Sequence, residues 1–72
     1  MRLTELLERN HLISSSDISS VYSLKDLLDV LEKNKVISSS DRYSVNSFKD
    51  LLDLLERNKA VDRGDLSNIA GI

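Results

Sequence analysis

Two pairs of carboxylates, Asp26 with Asp29 and Asp50 with Asp53, have a spacing that could do chemistry. Acids three positions apart share a helix face, where they could pass a proton or hold a divalent cation. Lys25 and Lys49 adjoin them, and all lie opposite an apolar stripe, so they read as a solvated face. The one histidine, His11, falls in a turn, which leaves no Ser–His–Asp set; it reads as a cover for helix-end carbonyls. The serine runs 14–16 and 38–40, each followed by Asp, could accept phosphate, which is electrostatically favoured at a helix start. Capping accounts for Ser14 and Ser38 without it. The segment from Asp17 lacks the alternating acids and central Gly of a calcium loop. Arg63-Gly64-Asp65 copies an integrin-binding tripeptide and reads as coincidence. These residues give no expectation of an enzyme, a cofactor, a metal or a small-molecule substrate.

The bulk properties agree. Ten basic and twelve acidic residues give a net charge of −2, without the basic face of a nucleic-acid binder. No apolar run approaches the length of a membrane span. No export signal is visible at residues 1–10, and the chain has no cysteine, so the expected location is the cytoplasm. At 72 residues one small domain is expected, with neither disulfide nor zinc to staple it. Idealised helix packing or association must then supply the stability.

The elements that carry these residues recur. Leu27–Glu32 has counterparts at Leu3–Glu8 and Leu51–Glu56, each displaced by 24 positions. By direct count, Leu12–Lys35 and Val36–Lys59 are identical at 17 of 24 positions. The chain divides into units 1–24, 25–48 and 49–72 as a single repeat domain. Such regularity points to a recent duplication or a deliberately built repeat. Tyr22, Arg42, Tyr43 and Asn46 depart from the pattern.

Ser14 with Asp17 and Ser38 with Asp41 read as capping boxes, replaced by Asp62 with Asp65 at the third site. Ile13 with Ile18 and Val61 with Leu66 fit hydrophobic staples, which Arg42 interrupts in the second unit. Val21, Leu24, Leu28 and Leu31, and then Val45, Phe48, Leu52 and Leu55, keep the three–four spacing of a helix face. Asn10, Asn34 and Asn58 read as helix ends in the left-handed conformation. The expected fold is all-α: helices near 2–10, 14–34, 38–58 and 62–71, arranged short-long-long-short as antiparallel hairpins. Ala70 and Gly71 predict fraying at the C-terminus unless another chain covers it.

That arrangement covers one end of the central hairpin and leaves Leu24, Leu27, Leu28, Leu31, Val45 and Phe48 bare at the other. Each is worth about 1.5–3 kcal/mol on burial. The expected remedy is oligomerisation that completes the bundle: a twofold dimer, an exchange of helices, or end-to-end stacking into a filament.

The stretch Leu54–Ile69, Leu-Leu-Glu-Arg-Asn-Lys-Ala-Val-Asp-Arg-Gly-Asp-Leu-Ser-Asn-Ile, resembles the fourth-to-fifth helix region of death-effector domains. Leu6–Val21 repeats the likeness more loosely. It covers one hairpin rather than the family's six helices, and Arg63-Gly64-Asp65-Leu66 carries the letters of its charge motif at a helix start. The resemblance implies homotypic protein–protein interaction, in dimers or filaments, without enzyme or cofactor. The leading expectation is a small helical module whose partner is itself or a related helical hairpin. The alternative is an engineered repeat with a structural role only.

Overall fold

A heptapeptide helix opens the chain, and five more follow. In the computed structural model, which describes residues 1–72, these are α1 (Leu3–Arg9), α2 (Ser15–Ile18), α3 (Leu24–Lys33), α4 (Ser39–Tyr43), α5 (Phe48–Arg57) and α6 (Arg63–Leu66). The fold is all-α; its one extended feature is an isolated parallel bridge between Arg2 and Gly71. The short helices α2, α4 and α6 start 24 residues apart, as do α3 and α5.

The expected continuous helices over 14–34 and 38–58 are each two helices. The cause is a second Ser-x-x-Asp signal inside each span. Ser23 accepts the Asp26 N–H, and Ser47 accepts the Asp50 N–H, both at 3.3 Å. The carboxylates of Asp26 and Asp50 take the N–H groups of Tyr22 and Asn46 at 3.1 Å. Both caps have extended backbone, so the chain must leave the helix before them. Upstream, the Ser19, Ser20 and Ser44 hydroxyls donate to the carbonyls of Ser16, Asp17 and Asp41, satisfying groups that a continuing helix would use. The last helix ends at Leu66, well short of the expected 71.

One core serves the whole chain. Fourteen buried apolar residues form a single cluster drawn from the three long helices and their following turns, with Val45 added from the break before α5. Its fully buried members are Leu3, Leu27 and Leu51, with Leu7, Leu31 and Leu55, one pair for each of α1, α3 and α5. Ile13, Ile37 and Val61 add one residue from the turn after each of those helices. The molecule measures 26 × 25 × 18 Å, two near-equal axes and one short one.

The two chain ends meet. The N–H groups of Leu3 and Thr4 donate to the carbonyls of Gly71 and Ile72, at 2.8 and 3.1 Å. The Ala70 N–H donates to Met1 O at 2.9 Å, and the Met1 ammonium to Asn68 O at 3.1 Å. Ala70 and Gly71, where fraying is expected without a covering chain, are bonded to the chain's own N-terminal segment.

Candidate functional site

The residues with recurring polar roles are those that turn the chain and tie its parts. Each long helix ends in the same way. Asn10, Asn34 and Asn58 are the C-caps, with φ of −90°, −87° and −82°, so they are not left-handed. The left-handed residue is the next one: His11, Lys35 and Lys59, at φ 61°, 61° and 59°. Their N–H groups meet the carbonyls of Glu8, Glu32 and Glu56, while Leu12, Val36 and Ala60 reach back to Leu7, Leu31 and Leu55. This is a Schellman ending, and it sets His11 at the corner itself. The freed Asn amides cap from the side: Asn10 donates to Leu6 O at 2.8 Å and Asn34 to Val30 O at 2.9 Å.

The next short helix starts four residues further on. Ser14 and Ser38 accept the N–H groups of Asp17 and Asp41, whose carboxylates take the serine N–H groups in return. At the third site Asp62 makes no side-chain cap bond, so the expected substitution of Asp62 and Asp65 for the box does not hold. The first residue of each short helix contacts the preceding glutamate: Ser15 donates to Glu8, Ser39 to Glu32, and Arg63 pairs with Glu56 at 3.4 Å. Arg42 fills the interrupted staple position with charge, reaching Glu32 at 2.9 Å and also Asp29. The Ser39 hydroxyl, followed by Arg42, holds the Glu32 carboxyl below its ordinary range. The Glu32 bond in turn raises Arg42. The Ser14 backbone N–H, with Asn34, does the same for Asp17 as Ser39 does for Glu32.

Consecutive units are linked by one repeated contact. Asn34, after α3, donates to Asp17 in α2 at 3.1 Å, and Lys33 adds a 3.9 Å ion pair. Asn58, after α5, reaches Asp41 in α4 at 3.5 Å, with no ion pair beside it. The corresponding pair where the first and third units meet, Asn10 and Asp65, makes no bond. There the Thr4 hydroxyl donates to Ile72 O at 2.9 Å, beside the backbone bonds already described.

The six residues expected to lie bare are covered within one chain. Leu27 and Leu31 are fully buried, Leu28 and Val45 are buried, and Leu24 and Phe48 pack partly buried against the core. The open end of the hairpin does not exist, because the breaks at 19–23 and 44–47 fold each long span back onto the core. The exposed large side chains are instead Tyr22 and Tyr43, at 87% and 84%, and Met1.

The paired acids separate by role. Asp26 and Asp50 cap their own helices, and Asp29 pairs with Arg42. No group of acids and His is placed to hold a metal ion. Ser23 and Ser47 are the structural residues that the sequence analysis missed; the spacing Ser-x-x-Asp, already used for 14–17 and 38–41, would have found them. No helix is long and apolar enough to cross a membrane. Comparison with protein-family models, curated proteins and solved structures finds no match.

Proposed function

We propose that this chain is a small helical interaction module whose partner is a second copy of itself, with no catalytic chemistry of its own. The observation that carries the reading is the repeated contact between consecutive units, Asn34 on Asp17 and Asn58 on Asp41. Each unit is built to receive a near-copy of itself. Corresponding leucines from α1, α3 and α5 fill the shared core, so a unit from another molecule presents the surface that each unit already accommodates. The death-effector-like turn at Leu54–Ile69 supports the same homotypic use. Because the apolar faces are covered in the monomer, association through Leu24, Leu27, Leu28, Leu31, Val45 and Phe48 proceeds by replacement of one unit with its counterpart. A flat dock between closed molecules would leave those residues out of reach.

Light scattering across concentration, alongside circular dichroism, tests the reading. The expected result is a folded monomer at low concentration and a dimer at high concentration, with helicity retained. A second reading, a free-standing structural repeat without a partner, is favoured by the 17 of 24 identities between adjacent repeats. A folded monomer at every concentration would decide for it.

A further inference from the structure

We infer that Ser44–Ser47 is a hinge which straightens into continuous helix, freeing the third unit from the first so that it docks on the first unit of a second copy. The inference rests on the self-association proposed above and supplies its route.

Three observations converge on this segment. First, the apolar rungs Val45, Phe48, Leu52 and Leu55 keep helical spacing from within the break into α5, with Arg42 standing where α4 would supply the preceding rung. The Ser44 and Val45 N–H groups still bond to the carbonyls of Asp41 and Arg42, at 3.1 and 3.2 Å. Only a few residues must therefore change backbone conformation to join α4 to α5. What holds them bent is the Ser47 cap and the Asp50 bond to the Asn46 N–H. A segment with two such arrangements is the kind of element on which switching transitions turn.

Second, the third unit has the fewest side-chain ties. Beyond the hinge's own Ser47–Asp50–Asn46 bonds, its side-chain bond to the second unit is the 3.5 Å Asn58–Asp41 bond, against 3.1 Å plus an ion pair between the second and first. Its own short helix lacks a side-chain cap. The corresponding break at 19–23 is one residue longer and spans the better-tied pair of units.

Third, the third unit meets the first without a covalent link. The backbone bonds of Leu3, Thr4 and Ala70 and the Thr4 hydroxyl hold that seam. All of them can be remade, atom for atom, between residues 1–4 of one molecule and Ala70, Gly71 and Ile72 of a second. Two such exchanges give a closed twofold pair rather than an open chain.

The test mixes two preparations of the full chain carrying donor or acceptor dyes on Tyr22→Cys, and follows energy transfer as copies exchange. Wild-type background should give slow transfer at high concentration. Ser47→Ala removes the cap and favours helix, and should raise the exchanged fraction about five-fold, the equivalent of about 1 kcal/mol. Ser38→Ala deletes a cap of the same kind outside the hinge and should raise it much less. A backbone-cyclised chain, closed through a short Gly/Ser linker, should lose exchange. Equal effects of Ser47→Ala and Ser38→Ala would overturn the hinge. Undiminished exchange by the cyclised chain would overturn the seam while leaving self-association standing. No transfer at any concentration, with wild type monomeric by scattering, would remove the self-association reading itself.

Discussion

At the scale of single residues, the polar side chains act mostly on backbone ends, and two of them set a pH dependence. Asp17 and Glu32 are held below their ordinary ranges, the first by the Ser14 N–H and Asn34, the second by Ser39 and Arg42. A carboxylate depressed in the folded state stabilises it fully above the unfolded pKa, and that contribution disappears as pH falls through the folded pKa. The melting temperature should therefore be level near neutrality and fall from about pH 4 downward. Asp17→Asn and Glu32→Gln should each flatten that acid limb, and thermal melts between pH 2 and pH 7 would show it. A second residue-scale expectation concerns Lys35, which holds a left-handed φ of 61°. Glycine reaches that conformation without a Cβ penalty. Lys35→Gly should stabilise by about 0.5–1 kcal/mol, and Lys35→Val should destabilise, both measured by urea unfolding.

At the scale of elements, what decides the fold is where each helix stops. Loss of the Ser23 or Ser47 hydroxyl should cost about 0.5–2 kcal/mol, as for other N-caps. Asp62→Ala should cost much less, because Asp62 makes no side-chain cap bond. Denaturant titration of the three variants ranks them directly. Much of this layer was legible from the letters: the all-α class, the helix stops at Asn10, Asn34 and Asn58, and the boxes at Ser14 and Ser38. The breaks at 19–23 and 44–47 are written in the Ser-x-x-Asp letters at 23–26 and 47–50, but the apolar three–four spacing onward from Val21 and Val45 masks them. Periodicity measures which side chains could share a face. It is blind to a cap in which Ser accepts the Asp N–H and the Asp carboxylate accepts the N–H four residues back. The bare-end expectation for Leu24 and Phe48 failed for the same reason, since it was built on helices that do not run through. The contacts of the tail were illegible for another cause: Ala70, Gly71 and Ile72 bond to residues nearly seventy positions away, and no local pattern reports them.

At the scale of the whole molecule, stability rests on one shared core and one noncovalent seam, and the two should fail differently. Leu31 is fully buried, so Leu31→Ala should cost about 2–5 kcal/mol. That is a large part of the net stability of so small a domain, and loss should be cooperative across all six helices. The seam needs no such collapse to open. Leu3, Thr4 and Ala70 donate their N–H groups across it, and residues 70–72 can let go while Leu3, itself fully buried, stays in the core with Leu31. Native-state hydrogen exchange should therefore find the three seam amides protected, yet exchanging faster than those of α3 and with weaker dependence on denaturant, the signature of a sub-global opening. Thr4→Val deletes the hydroxyl that meets Ile72 O and should speed the seam amides several-fold while leaving α3 nearly unchanged. Seam amides exchanging at the rate of free peptide would mean that the ends do not meet in solution. Seam and core amides exchanging together would mean that the seam opens only when everything does, and a molecule of that kind has no unit to lend.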